Sequence, residues 1–419
     1  MTTWKKVSRS VMWLCVGGML LPFGVMAQQA SQGIKLGGER FTLSPYVSLE
    51  WGKDSNIIYD HREIGDYILR VNPGFDLKYI ATDWGLLGNA WYSHGWYHEY
   101  DTKDYDRWGE RLSFYRESPS GLKLVVTQGY TESDQNDSIL LDGGDGVWRN
   151  RIQFDANAVL SYAFNERLSA TVNALFSDMW YGNSSDKYLD LYGWTHWAAG
   201  LEIAHKLTER SSLVLSGSYQ EYYTGESLFK SDIKNRDATP YGSRSRGYSL
   251  MGGLASRLTE RVRYRALAGA SLYDYAGNSS VAPAYSLDAT WLINNRLAAT
   301  AAGAGYYQPS ERSYYQQKTI YTLSAGLTYK PLERVQLTLD GIYRGEENET
   351  VDQYARYLAD YSRNQYSARL RASYRLQKYV SVFASAEYTI QEINRSVIAN
   401  YPKDDWDRYL LMVGLSLRY

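Results

Sequence analysis

The sequence predicts an all-β chain, a single transmembrane antiparallel up-and-down β-barrel of about 18 strands, with 16 as the alternative count. Three observations carry this expectation. Polar and apolar residues alternate with period two through most of the chain. The connections between alternating segments sort by length, short then long. The composition is aromatic yet polar: 40 Tyr, 13 Trp and 9 Phe make it 15% aromatic, while the mean hydropathy is −0.46. A helical membrane protein would be more apolar. Barrel strands fit both facts, because lipid-facing residues alternate with polar lumen-facing ones and aromatics gather at the two interfaces.

The first element is an export segment. Lys5, Lys6 and Arg9 precede an apolar run from Val11 to Val25, and Val25-Met26-Ala27 offers modest side chains where a signal peptidase reads. Residues 1–27 are therefore expected to be a cleaved signal peptide. The run is about 15 residues long where a membrane span needs roughly 20. The single cysteine, Cys15, falls inside it, so the mature chain is expected to have no disulfide framework and no thiol chemistry. Residues 28–40 read as a periplasmic N-terminal segment and 41–419 as the barrel, with no linker that would separate a second domain.

Strands are expected near 40–51, 66–80, 86–99, 105–117, 121–132, 150–164, 167–180, 190–206, 211–223, 244–258, 261–274, 283–294, 296–308, 315–329, 334–346, 363–376, 379–392 and 405–419. The clearest hairpin lies late. Arg363, Gln365, Ser367, Arg369, Arg371, Ser373 and Arg375 alternate with Asn364, Tyr366, Ala368, Leu370, Ala372, Tyr374 and Leu376. That is strand period, not helix period. After Gln377-Lys378 the pattern resumes with Val380, Val382, Ala384, Ala386, Tyr388 and Ile390 on one face. Short turns such as Asn165-Glu166, Thr259-Glu260 and Asn294-Asn295 fall after every second strand, and longer polar connections such as 133–149, 224–243 and 347–362 take the alternate positions. A membrane barrel with tight periplasmic turns and larger external loops has this order. A soluble sandwich has no reason to sort its loops by length. Leu-Thr-Glu-Arg occurs at 207–210 and again at 258–261, which reads as recurrent turn chemistry.

The last strand ends on an aromatic, with Leu415 and Leu417 on one face and Gly414 ahead of them. Gly414, Leu415, Leu417 and Tyr419 resemble the C-terminal signal read by the machinery that assembles barrels in the bacterial outer membrane, although Met412 stands where that pattern has a polar residue. The expected location is therefore the outer membrane. The expected surroundings are a lipid bilayer and lipopolysaccharide, with the barrel-assembly machinery as a partner.

The opening of the mature chain carries a family resemblance. Ser44-Pro-Tyr-Val-Ser-Leu49, then Asp54-Ser-Asn56, then Asp66-Tyr-Ile-Leu-Arg-Val-Asn-Pro-Gly-Phe-Asp-Leu77 resemble the first hairpin of the beta-barrel porin-2 family. The likeness covers roughly 40 residues, after which only the barrel pattern continues. Several members of that family resemble components of exopolysaccharide export systems. The resemblance thus implies a glycan conduit with periplasmic polysaccharide-export components as partners. A general or solute-specific diffusion porin, and a blocked barrel with a structural or adhesive role, are the alternatives.

Around 18 strands leave a water-filled interior, so function is sought on the inward face. If the apolar face meets lipid, the inward charges include Glu202, Arg263, Arg265, Asp288, Asp340, Arg344, Arg369, Arg371 and Glu387, together with Arg70, Asp76, Lys78, Asp155 and Arg167. Both signs are present, which argues against a strongly selective pore. Asp340 and Arg344, then Arg369 and Arg371, then Glu387 lie on three successive strands about 4.8 Å apart, where they are placed to form a ladder of charge. Functionally this is a transverse field or a sugar track; structurally, the same charges simply pair in a hydrated interior. Tyr46 and Trp91, if inward, have the chemistry to stack on sugar rings, while most other aromatics read as girdle residues.

Catalytic and metal chemistry finds little footing. His94 and His98 on a strand stand about 13 Å apart, too far to share one ion. No His-Glu-x-x-His, Gly-x-Ser-x-Gly or phosphate loop is present. Asp142-Gly-Gly-Asp-Gly146 concentrates carboxylates without the spacing of a calcium hand. No cofactor, metal or enzymatic activity is expected. Removing the three signal cations from a formal charge of −1 leaves about −4, so nucleic acid is not an expected partner.

Overall fold

The computed structural model describes residues 33–36, 40–59, 62–136, 148–181, 194–224, 244–275, 278–309, 315–350, 361–395 and 405–419. The expected signal peptide and the Asp142–Gly146 stretch lie outside them. The strands are β1 (Ile34–Lys35), β2 (Phe41–Asp54), β3 (Asp66–Ile80), β4 (Trp84–Tyr97), β5 (Tyr105–Glu117), β6 (Lys123–Asn136), β7 (Trp148–Ala163), β8 (Leu168–Tyr181), β9 (Trp194–Lys206) and β10 (Ser211–Thr224). They continue as β11 (Arg244–Ser256), β12 (Val262–Tyr275), β13 (Asn278–Leu292), β14 (Leu297–Pro309), β15 (Tyr315–Leu332), β16 (Val335–Thr350), β17 (Tyr361–Arg375), β18 (Val380–Arg395) and β19 (Trp406–Arg418). A 3₁₀ turn, Asp101–Lys103, lies between β4 and β5.

Strands β2 to β19 form one closed antiparallel ring of 18, each paired with its chain neighbours, with β19 pairing back onto β2 from Leu410↔Asp54 to Arg418↔Tyr46. Every expected strand is present. Closure leaves no edge strand, the condition for a sheet to cross lipid. The two-residue β1 adds to β2 at the end where the chain enters the ring.

The concave face is identified by contacts that skip strands. Arg418 on β19 pairs with Asp76 on β3, Gln220 on β10 donates to the Tyr307 carbonyl on β14 at 3.3 Å, and Arg265 on β12 pairs with Glu202 on β9. Groups two to four strands apart meet only on the inside of a curved sheet. Register then puts Leu49, Trp51, Leu69, Leu215, Leu339, Leu370, Leu411 and Val413 on the outside, where all are exposed. On that outer face aromatic rings form two belts. One holds Trp51–Tyr67, Trp108–Tyr130 and Tyr343–Tyr366, with ring centroids 5.6, 4.7 and 5.2 Å apart. The other holds Tyr79–Trp84 and Tyr379–Tyr419, at 4.9 and 4.8 Å. Tyr67 and Tyr79 mark the two belts on β3 itself. At ~3.3 Å per residue and a tilt of ~40° their separation is about 30 Å along the membrane normal, the thickness of a bilayer's hydrocarbon core.

The short turns owe their shape to side chains that replace missing ladder bonds. Asn165 Oδ1 accepts the N–H groups of Arg167 and Leu168, both at 2.8 Å, and Asn294 does the same for Arg296 and Leu297. Thr208 and Thr259, the threonines of the two Leu-Thr-Glu-Arg turns, accept from the residues two and three positions on. These are Asx and Ser/Thr turns, a local alternative to strand pairing. Arg167 thus sits in a turn, not on an inward strand face. The short/long alternation also breaks once: β12 and β13 are separated by residues 276 and 277 alone, because β13 begins before the expected 283 and carries the pairing farther out.

Candidate functional site

All nine expected lumen residues fall on the concave face by register, but their partners differ from the expected ladder. Arg369 grips Glu387 with two guanidinium nitrogens, one of them at 2.7 Å. Asp340 is the register partner of Arg369, yet no ion pair joins the two, and its carboxylate lies over Gly326. Arg344 turns away from Asp340 to Glu346, at 2.6 Å, and Arg363 takes the second oxygen of the same carboxylate. Arg371 places its guanidinium 4.1 Å from the centroid of Phe383. The ladder therefore resolves into two separate knots, because a guanidinium fork is satisfied by one carboxylate and gains little from spanning two.

Across the ring Arg265 reaches over β11 and β10 to Glu202, while also donating to Ser286 at 3.3 Å. Asp288 stands opposite Arg265 in register, and Arg263 opposite Thr290. Tyr46 and Trp91 both face inward: Asn89 Nδ2 donates to the Tyr46 hydroxyl at 3.3 Å and to Asp76 at 2.8 Å. Ion pairs hold Glu202, Arg265, Arg344, Arg369 and Glu387, whereas Arg263, Asp288, Asp340 and Arg371 enter none among the described residues, so the wall is polar and carries both signs side by side. Replacing Glu387 with Gln leaves Arg369 without its anion. Arg369 is 48% exposed, so the cost in stability is expected to stay under about 1 kcal/mol. The reversal potential in a KCl gradient should move modestly toward anions; an unchanged potential would show that this pair lies away from the ion path.

The main feature that sequence reasoning missed is the connection between β2 and β3. This connection, between the strands expected at 40–51 and 66–80, folds into the mouth of the barrel at residues 55–59. Asn56 and Ile57 are fully buried and Ile58 nearly so, packed with Ile68, Tyr97, Tyr105 and Met412 from the inner faces of β3, β4, β5 and β19. Asp54, with no exposed surface, is held bidentately by Arg408 at 2.7 and 2.5 Å and accepts from the Tyr97 hydroxyl at 3.2 Å. Asn56 donates to the Asp407 carbonyl at 3.0 Å, and the Ser55 N–H donates to the Tyr409 carbonyl, also at 3.0 Å. Tyr59 lies over the Arg408 guanidinium at 4.6 Å and meets Trp406 edge-on at 5.4 Å. Burial raises the Tyr59 phenol above its ordinary value, and Arg408 offsets part of that rise. Tyr59 and Glu63 have φ of 54° and 49°, left-handed values that side chains other than glycine rarely adopt. Such strain persists only where surrounding contacts fix the backbone, and it is common at functional segments. The signal in the sequence was the apolar triplet Ile57-Ile58-Tyr59 inside a loop otherwise assigned to solvent. Of the longer connection expected at 133–149, residues 133–136 and 148–149 are strand and the rest lie outside the described residues.

The facing wall carries a second cluster. Trp194 and His196 on β9 pack with Tyr222 on β10, the His196 and Tyr222 rings stacking at 3.8 Å, and Tyr273 on β12 meets Tyr307 on β14 at 3.9 Å. At the other end of the barrel Gly414, Leu415, Leu417 and Tyr419 follow the strand alternation. A Cβ on Gly414 would stand 2.5 Å from Phe383, and the Tyr419 N–H donates to the Pro45 carbonyl at 3.0 Å. Gly414 thus has a packing reason of its own.

No family model and no curated protein matches the chain. Among solved structures, it is similar to the FrpB iron transporter from Neisseria meningitidis (F3-3 variant), with a TM-score of 0.50 and 9% identity, over 94% of this chain and 83% of that one. It is also similar to the siderophore receptor PirA from Pseudomonas aeruginosa, with a TM-score of 0.43 and 10% identity, over 92% and 81% of the respective chains. At such identities the likeness to FrpB bears on architecture alone, and with the closed ring and its two aromatic belts it makes this chain an outer-membrane β-barrel.

Proposed function

We propose that the chain is a passive outer-membrane pore whose cargo is a hydrophilic polymer, exopolysaccharide on its way out of the cell. The observation that carries this reading is the polar concave face of an 18-strand ring, lined by both signs of charge with several in opposite-sign pairs. Rings of about that size enclose an aqueous channel, whereas rings of about eight strands are filled by their own side chains. A wall with paired charges and hydroxyl, amide and aromatic groups replaces part of a solute's hydration without holding it. Such a wall suits a neutral or mixed-charge glycan better than a small ion. The resemblance of residues 44–77 to the beta-barrel porin-2 hairpin adds the link to polysaccharide export. Lining roles belong in this reading to Glu202, Arg263, Arg265, Asp288, Asp340, Arg344, Arg369, Arg371 and Glu387. The partners are lipopolysaccharide, the barrel-assembly machinery and periplasmic export components.

A solute-specific diffusion porin is the second reading, favoured by the inward packing of residues 55–59 at the mouth. Single-channel recording from the refolded protein separates the two. Stable open conductance interrupted by polysaccharide fragments added to one side is the expected result. Open conductance blind to those fragments would favour the porin, and a folded barrel with no conductance would defeat both.

A further inference from the structure

We infer that Trp406 and Gln391 form a subsite for a hydroxyl-rich ligand, a glycosyl unit, at the external mouth, and that Tyr59 of the inward loop covers it. The two residues are direct cross-strand partners on the concave faces of β19 and β18, with 4% and 1% of their surface exposed. Among the described residues, neither the amide nitrogen nor the amide oxygen of Gln391 has a hydrogen-bond partner, and neither does the Trp406 indole N–H. Folded proteins bond roughly 90% or more of such buried groups. Three unbonded ones on a single cross-strand pair point to a partner that is not part of the chain.

Their chemistry restricts what that partner is. The indole only donates, the amide nitrogen donates and the amide oxygen accepts. An anion leaves the amide oxygen unmatched, and a metal ion leaves both N–H donors unmatched. A hydroxyl donates and accepts, so neighbouring hydroxyls on one sugar ring satisfy all three atoms, while the indole offers an apolar face to ring C–H groups. The same lateral row continues from Gln391 through Gln365 on β17 to Arg344 on β16, extending the polar track along the wall. Tyr59, half-buried in its left-handed conformation, puts a six-membered ring against Trp406, where a pyranose of similar width would sit. The facing wall repeats the motif: the Trp194 indole N–H and His196 Nε2 on β9 are buried and unbonded as well.

This inference deepens the glycan-conduit reading and rests on it for the ligand class, so binding and conduction are measured separately. The full chain, refolded in detergent and checked for folding by its heat-dependent electrophoretic mobility, is titrated calorimetrically with maltohexaose and with cellohexaose. Saturable binding by at least one is expected. Trp406→Phe and Gln391→Ala should each weaken it about tenfold, the loss that goes with one hydrogen bond. Tyr59→Ala should strengthen it by uncovering the site. Absence of binding in both the wild type and Tyr59→Ala, or unaltered affinity in a folded Trp406→Phe or Gln391→Ala protein, overturns the subsite; either variant alone decides. Open conductance without binding overturns the subsite and leaves the conduit standing, whereas binding without conductance supports the subsite and overturns the conduit.

Discussion

Gly52→Leu is expected to prevent the barrel from closing. Gly52 lies on β2, opposite Met412 of β19, in the pairing that joins the first strand of the ring to the last. A Cβ there would stand 1.9 Å from the Leu411 carbonyl oxygen and 2.4 Å from Met412 Sδ. The sulfur, at the far end of a flexible side chain, can move. The carbonyl belongs to the ladder that seals the ring, so it moves only if β19 separates from β2. Ordinary overpacking of a core costs about 1–3 kcal/mol, and a backbone obstacle at the seam should exceed that range. Gly341→Leu is the matched control, because Gly341 faces outward with nothing within 4 Å of its added Cβ. After refolding, the Gly341 variant should show the compact, heat-modifiable band of the wild type and the Gly52 variant should not. A Gly52→Leu protein with the wild-type band and urea midpoint would refute the account of the seam.

The contrast between seam and loop also explains what the sequence made legible. Strand positions were legible because each depends on local alternation, which register then multiplies: Arg369 and Glu387 were placed on one face from period two alone, and their contact followed from adjacent strands. The turn threonines at 208 and 259 were legible for the same reason, their bonds reaching only two or three residues. Long-range choices were not. Asp54 was visible as half of an Asp/Asn pair, but its partner Arg408 is 354 residues away and meets it only because the ring closes. Glu346, the acceptor for Arg344, shares the inner face two residues on, a pairing along one strand that a ladder drawn across strands does not contain. Residues 55–65 lack any period. The burial of Ile57 there follows from where Ile68, Tyr97 and Met412 converge in space, which no spacing along the chain encodes.

The loop's anchor supplies the second large effect. Arg408 is 12% exposed at its side chain and Asp54 not at all, so Asp54→Ala leaves a buried guanidinium whose bidentate anion is gone. Removing one partner of a buried pair typically costs about 3–5 kcal/mol, much of it the penalty for the charge left behind. Because Asp54 also accepts from Tyr97 and from the Asn56 N–H, and because Tyr59 rests on Arg408, the loss is expected to appear first as release of residues 55–65 rather than as global unfolding. Two measurements read this release: faster cleavage by trypsin after the exposed Arg62, and a higher single-channel conductance as the loop leaves the mouth. The double variant with Arg408→Ala should be less damaged than Asp54→Ala alone, since no orphan charge remains. If Asp54→Ala keeps the trypsin rate and conductance of the wild type, the apolar packing of Ile57 and Ile58 holds the loop by itself, and the ion pair is incidental to it. If cleavage accelerates while conductance stays fixed, the loop is mobile but does not lie in the path of the permeating solute.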